Sequence, residues 1–138
     1  MNFLFSPDSI EGKKYKKLVH YLCNVADVIY FTFYEDLSLN DKVLELEQNG
    51  KRIRVPKRIR ERFDADVFGY EIDDYIAKFI FQYNSFYDLL RDRPYGTVLF
   101  YSGNNEIIHI ELEVFDDIYV DTNDNNLIKE FTDIQFGS

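Results

Sequence analysis

The chain has 138 residues, which is the length of one ordinary domain. Hydrophobic residues make up 46% and aromatic residues 17% of the sequence, which excludes an intrinsically disordered chain. The formal net charge is −9, and it comes from the second half, since residues 1–62 sum to +3 and residues 63–138 to −12. An acidic half of this strength would repel phosphates, so we do not expect a nucleic-acid-binding protein.

The sequence also predicts where the protein resides. Cys23 is the only cysteine, so an internal disulfide is excluded and a reducing compartment is expected. Residues 1–9 have a short apolar start with no basic region before it, unlike a signal peptide. No apolar run is long enough to span a bilayer. We therefore expect a cytoplasmic protein, monomeric or homodimeric, with one domain over residues 1–138 and no contact with membranes.

The first two predicted elements are a helix and a strand. The helix follows the capping sequence Ser6–Asp8, and its apolar residues recur at the spacing of an amphipathic helix, at Tyr15, Leu18, Val19 and Leu22. Val28–Glu35 is rich in β-branched and aromatic residues and predicts a strand. Because both faces of this strand carry bulky side chains, we expect it in the centre of a sheet.

Val43–Val55 predicts a β-hairpin. Asn49–Gly50 is a favoured pair for a two-residue hairpin turn, and alternating apolar and charged residues lie on both sides of it. In this register Glu47 faces Arg52 and Leu46 faces Ile53, so charges pair on one face and apolar residues on the other. A shift of one residue would lose both pairings.

The next stretch predicts mainly helix. Residues 56–63 form a short helical turn with Ile59 and Phe63 facing inward, and residues 64–70 form a loop that contains a glycine. The main helix begins in the acidic stretch 71–74 and continues to Leu90, with arginines at its end and Pro94 closing it.

Thr97–Phe115 predicts a second hairpin, in which a Gly- and Asn-containing turn joins two β-rich runs. The second run alternates, with Ile108, Ile110, Leu112 and Val114 on one face and Ile107, His109, Glu111 and Glu113 on the other. Asp117–Asp121 adds a short strand, and Leu127–Phe136 a terminal helix. The expected fold is α+β: a single antiparallel sheet of about five or six strands, built from two hairpins and a central strand, with helices packed on one face.

An acidic stretch near the C-terminus is the candidate surface for binding a partner. A tyrosine anchors protein interfaces and carboxylates steer a basic surface toward them. The same residues also suit a solvated loop that keeps the protein soluble. The predicted partner-binding residues are Asp116, Asp117, Tyr119, Asp121 and Asp124.

A basic segment is a candidate anion-binding site for a phosphate or an acidic partner. Its members are Lys51, Lys57, Arg58, Arg60 and Arg62. The alternative is that these charges neutralise the chain's own carboxylates. The row of His109, Glu111 and Glu113 has the residue types of an acid–base or metal site, but alternating polar residues also mark any solvent-facing strand. No complete catalytic set, metal-ligand set or cofactor motif emerges, so we expect no metal and no cofactor.

These observations favour a protein that binds rather than catalyses. The specific hypothesis is an acidic inhibitor of a basic protein, of the immunity-protein or antitoxin type. One alternative is an enzyme or small-ligand-binding domain with a pocket between sheet and main helix, lined by Tyr30, Tyr34, Tyr83 and His109. Another is a structural subunit that docks its basic segment on an acidic neighbour.

Overall fold

The computed structural model describes residues 1–33, 41–91 and 95–137 and has, over these residues, seven strands in one antiparallel sheet and six helices. The elements are β1 (Asn2–Phe5), α1 (Lys13–Val25), β2 (Val28–Phe33), α2 (Asp41–Asn49), β3 (Arg52–Ile53), α3 (Lys57–Arg60), β4 (Asp66–Glu71), α4 (Asp74–Phe81), α5 (Phe86–Arg91), β5 (Tyr95–Ser102), β6 (Asn105–Leu112), β7 (Ile118–Thr122) and α6 (Asn125–Phe136). The predicted α+β class with one antiparallel sheet is confirmed, with slightly more strands than expected.

The strands lie in the order β1-β7-β6-β5-β2-β4-β3, and every neighbouring pair is antiparallel. The predicted central strand is β2, which pairs with β5 on one side and β4 on the other. The predicted hairpin is formed by β5 and β6, and Gly103 at its turn has a φ of 58°, which glycine adopts at little cost.

The main core lies on one side of the sheet, which we call the helical face and which carries Ile29, Phe31, Ile108 and Ile110. Buried side chains of α1, α2, α4, α5 and α6 pack against it. Phe131 of α6 contacts Phe3 and Phe5 of β1, with ring centroids 5.5 and 5.6 Å apart. The helices of the core therefore pack on one face, as predicted.

The other side, which we call the opposite face, carries Tyr30, Leu99, His109 and Tyr119. The described residues cover it over only part of its width. A small apolar cluster forms over β2, β4 and β5, and its buried members are Tyr30, Ile59, Val67, Leu99 and Tyr101. The chain over residues 53–63 provides the cover, so the predicted helical turn is confirmed, with Ile59 buried and Phe63 half-buried.

The predicted Val43–Val55 hairpin is wrong, because Asp41–Asn49 forms α2 and only Arg52–Ile53 is a strand. Leu, Glu and Lys are strong helix formers, and Asn-Gly also ends helices. The N–H of Gly50 donates to the carbonyl of Leu46 at 2.8 Å, and a Cβ at Gly50 would lie 2.7 Å from the ring of Tyr70. The contact between Glu47 and Arg52 does form, at 3.5 Å, but across the end of a helix.

Two strands and a helix boundary also differ from the prediction. Asn2–Phe5 forms β1, which the sequence analysis did not predict. Asp66–Glu71 forms β4, although residues 64–70 were expected to be a loop that contains a glycine. That glycine, Gly69, lies within the strand, and a Cβ there would lie 2.8 Å from the ring of Tyr30. The first helix begins at Lys13 rather than directly after the serine cap.

The predicted main helix is divided into α4 and α5. The hydroxyl oxygen of Ser85 accepts a hydrogen bond from the N–H of Asp88 at 3.0 Å and thereby caps α5. Asn84, just before it, accepts from the N–H of Gly12 at 2.8 Å, which ties the interruption to the start of α1. Tyr34 and Glu35 of the predicted strand, and Arg93 and Pro94 at the predicted helix end, lie outside the described residues.

We expect Phe131→Ala to lower the free energy of unfolding by about 3–5 kcal/mol, because it leaves a cavity between α6 and β1. The matched control is Phe136→Ala on the same helix, whose side chain is 75% exposed and should change stability by less than about 0.5 kcal/mol. Urea denaturation of both variants measures the difference. Equal losses in the two variants would contradict this account of the core.

Candidate functional site

The loop between β6 and β7 is a tight hairpin turn with an acidic residue in a strained position. The N–H of Glu113 donates to the carbonyl of Asp117 at 2.8 Å, and the N–H of Asp116 donates to the carbonyl of Glu113 at 3.0 Å. Asp116 has a φ of 69°, the left-handed conformation that completes a three-residue hairpin loop of this kind. Val114 and Phe115 therefore occupy the central positions of the turn.

These two residues are apolar and almost completely exposed, at 89% for Val114 and 88% for Phe115. Central turn positions usually carry Gly, Pro, Asn, Asp or Ser, which suit the backbone and meet water well. A valine and a phenylalanine at such a tip contribute nothing to the core of this chain. We call Val114 and Phe115 the apolar tip.

The apolar tip borders an open groove of about 640 Å³ at the β1 side of the sheet. Leu4 of β1, which is 53% exposed, extends the apolar surface across the groove. The lining residues are Asn2, Phe3, Leu4, Glu113, Val114, Phe115, Asp117 and Tyr119. The groove thus combines exposed apolar side chains with a rim of carboxylates.

Of the five predicted partner-binding residues, Asp117 and Tyr119 line this groove, and Asp116 lies on the turn that borders it. Asp116 is exposed on the turn, Asp117 is half-exposed beside it, and Tyr119 is the first opposite-face residue of β7. Partial burial and the nearby carboxylates, Asp121 first among them, raise the pKa of Tyr119 above its ordinary value. Its hydroxyl therefore stays protonated at neutral pH and can donate a hydrogen bond.

The other two predicted residues have roles within the fold. Asp124 caps α6, since its carboxylate accepts from the N–H of Leu127 at 3.0 Å and from the hydroxyl of Tyr21 at 2.9 Å. Asp121 lies 3.5 Å from the amino group of Met1. The structure therefore separates Asp124 from the groove, while Asp121 lies on the opposite face next to it.

The predicted row on β6 belongs to a different cluster, at the edge of the cover formed by residues 53–63. Arg62 lies 2.6 Å from Glu106, and its other terminal nitrogen donates to Nδ1 of His109 at 3.1 Å. Nε2 of His109 lies 3.5 Å from Glu111, too far for a strong hydrogen bond. Glu113 is at the apolar tip instead and takes no part.

This cluster has the geometry of a structural support. Because a guanidinium can only donate, Nδ1 of His109 must accept, so the neutral imidazole carries its proton on Nε2, which faces Glu111. The interaction with His109, followed by the hydroxyl of Thr97, holds the pKa of Glu111 below its ordinary value, although partial burial acts against it. No group of three or more His, Cys, Asp or Glu residues in the described ranges could hold a metal ion.

The predicted anion-binding residues do not converge on one site. Lys57 lies 3.7 Å from Glu61, Arg58 donates to Asn104 at 3.2 Å, and Arg62 is held by Glu106. Lys51 and Arg60 are exposed, and no ion pair with another described residue is found for either. Two of the five, Lys57 and Arg62, therefore pair with the chain's own carboxylates.

The pocket expected between the sheet and the main helix also fails to assemble. Tyr30 and His109 lie on the opposite face, whereas Tyr83 packs in the core on the helical face. The sheet therefore separates Tyr30 and His109 from Tyr83. Tyr34 lies outside the described residues.

The sequence patterns do not identify the exposed apolar residues of the groove, which are Leu4, Val114 and Phe115. The alternation of the strand predicts Val114 on its buried face, although β6 ends at Leu112. The signal that could have identified the apolar tip is local, because two apolar residues lie between Glu113 and Asp116 in a stretch short enough to be a turn. Leu4 becomes recognisable only when β1 is placed beside β7.

Comparison of the chain with protein-family models, with curated proteins and with solved structures finds no match. Within the described ranges, none of the helices combines the length and apolar character that crossing a bilayer requires.

The left-handed backbone of Asp116 predicts a specific response to substitution. Asp116→Ala should lower the free energy of unfolding by about 1 kcal/mol, because alanine tolerates this conformation less well than aspartate. Asp116→Gly should leave stability unchanged or raise it. Thermal and urea denaturation compare the two, and an equal response of both variants would contradict the turn geometry.

The depressed pKa of Glu111 predicts a pH dependence of stability. A carboxyl whose pKa is lower in the folded state stabilises the fold above its unfolded pKa, and this contribution is lost as the pH falls through roughly 5 to 3. Glu111→Gln should reduce the acid-induced loss in the free energy of unfolding by less than about 1 kcal/mol, since Glu111 and His109 are partly exposed. Urea denaturation across this range, with Glu71→Gln as the matched control, measures it. An unchanged pH profile in Glu111→Gln would argue against the pairing.

Proposed function

We propose that this protein is a binding module that recognises a basic partner protein through the apolar tip and the carboxylates around it. The observation that carries the proposal is the pair Val114 and Phe115, exposed at 89% and 88% on a turn and bordered by Glu113, Asp116 and Asp117. Exposed apolar surface with a polar rim is typical of interaction sites. Because nothing in the described fold packs against the tip, we expect a partner to bury it in a complex.

The composition of the site supports a protein partner over a small molecule. The groove is open, whereas small ligands bind in concave sites that bury most of their surface. A central aromatic anchor such as Phe115 provides binding energy in protein interfaces, and the surrounding charges direct the encounter. The rim is acidic, and Glu113, Asp116 and Asp117 have no ion pair with any described residue, so the partner surface is basic.

The finer proposal is that binding inhibits the partner, as immunity proteins and antitoxins do. An enzyme that acts on nucleic acids has a basic substrate cleft, and a cluster of carboxylates is electrostatically complementary to such a cleft. The net charge of −12 over residues 63–138 supports this reading. A nuclease is the kind of enzyme that we would test first.

A pull-down from extract of the native cells, analysed by mass spectrometry, tests the proposal. We expect the wild-type chain to retain a basic protein near stoichiometry at low ionic strength and less of it as salt is added. The double variant V114S/F115S removes the anchor and should weaken retention by at least about tenfold, which corresponds to ~1.4 kcal/mol. The triple variant E113Q/D116N/D117N should weaken it mainly through slower association.

The matched control is the triple variant D64N/D66N/E71Q, which makes the same change in net charge at exposed residues away from the groove. It should retain the partner like the wild type. If the control and the rim variant lose the partner equally, net charge rather than this site governs binding. If V114S/F115S retains the partner fully, the proposed site is wrong.

A further inference from the structure

The outer edge of β1 lies beside the groove. β1 stands at one end of the seven-stranded order and, among the described strands, pairs with β7 alone. The edge of a sheet presents backbone N–H and C=O groups that can pair with another strand. Whether they are available at β1 depends on which of its residues face β7.

The hydrogen bonds at the start of β1 define this orientation. Met1 and Thr122 exchange two backbone bonds, of 2.8 and 3.1 Å, and form a hydrogen-bonded pair. Such pairs recur at every second residue of an antiparallel ladder, so Phe3 and Phe5 also bond to β7. The N–H and C=O groups of Asn2 and Leu4 therefore point away from the sheet.

The side chains around this edge match its backbone. Leu4, whose backbone groups point outward, is also one of the exposed apolar residues of the groove and lies opposite Tyr119 in the ladder. A strand added beside β1 would place side chains next to Leu4, within reach of the acidic rim. The edge, the apolar surface and the carboxylates thus form one continuous site.

The charge around the edge selects the occupant. A second copy of this chain that paired through its own β1 would bring together two chains of net charge −9, and like charges across an interface disfavour binding. A basic segment would instead be attracted by Glu113 and Asp117. A segment in which apolar and basic residues alternate could place its apolar side chains in the groove and its basic side chains near the carboxylates.

We propose that an extended, basic segment of the partner adds to the sheet as an eighth strand beside β1. This inference rests on the proposed function and specifies how the basic partner is held. Backbone pairing at Asn2 and Leu4 provides affinity, and the apolar surface at Leu4 and Phe115 selects an apolar side chain of the segment. The carboxylates of Glu113 and Asp117 favour partner segments that contain Lys and Arg.

The probe for the test is a heptapeptide of alternating lysine and valine with blocked ends. The control peptide has the same composition but carries D-valine, which prevents a regular strand while keeping the charge. Amide hydrogen exchange measured by NMR on the wild-type chain is the first readout. We expect the L-peptide to slow exchange at Asn2 and Leu4 by about tenfold or more, and the D-valine peptide to leave it unchanged.

The second readout uses a pair of variants at one position. Leu4→Pro removes an N–H that points outward and leaves the hydrogen bonds to β7 in place. Edge strands tolerate proline at positions of this kind. Leu4→Val shortens the side chain but keeps the N–H. We expect Leu4→Pro to weaken the L-peptide by about tenfold relative to Leu4→Val, while thermal denaturation shows that both variants are folded.

Three outcomes would overturn strand addition. In the first, the two peptides bind equally and the amide hydrogens of Asn2 and Leu4 still exchange freely. Charge alone would then hold the peptide, and the proposed function would remain. Absence of L-peptide binding at low ionic strength would exclude this mode, while the pull-down tests the partner independently. Sedimentation that shows a wild-type dimer and a Leu4→Pro monomer would assign the edge to a second copy.

Discussion

The arrangement of this protein depends on how the two faces of its sheet are kept from water. Five helices bury most of the helical face, whereas within the described chain only residues 53–63 cover the opposite face, over β2, β4 and β5. The cover ends at β6, where Arg62 reaches Glu106 and His109. Beyond that point the opposite face carries polar residues and a few exposed apolar ones. The groove lies in this uncovered part because no other segment of the described chain is available to bury it.

The charged groups follow the same division of the opposite face. Residues 57–62 of the basic segment lie over β2, β4 and β5, and Glu61 and Glu106 pair with two of its members, Lys57 and Arg62. The acidic turn lies beside β1, and no Lys or Arg is among the described residues that line the groove. Arg62 extends toward this end, since it donates to His109, whose ring lies 5.8 Å from that of Tyr119. A partner at the groove therefore meets Glu113 and Asp117 directly, and Arg62 only behind His109 and Tyr119.

Local patterns identified much of the fold. In β6, Ile108 and Ile110 alternate with polar neighbours, and β2 is a run of aromatic and β-branched residues. Both patterns predict a strand without information on which strands pair with it. The site was identified only in part. The chemistry of Asp116, Asp117 and Tyr119 was sufficient to predict them as site residues. Asp124, predicted with them, caps a helix instead. Leu4 lies at the site because β1, from the other end of the chain, pairs with β7.

The sequence by itself determined the class of the fold, the central position of β2 and the acidic character of the β6–β7 region, because composition and short-range periodicity are sufficient for these. The tertiary structure alone decided whether Asn49–Gly50 would turn a hairpin or end a helix. Both are compatible with that dipeptide, and in the fold the helix ends where Gly50 lies against the ring of Tyr70, which belongs to a distant strand. It also decided that Leu4 would lie beside Tyr119, since strand order arises from contacts between residues far apart in the chain, which no local pattern encodes.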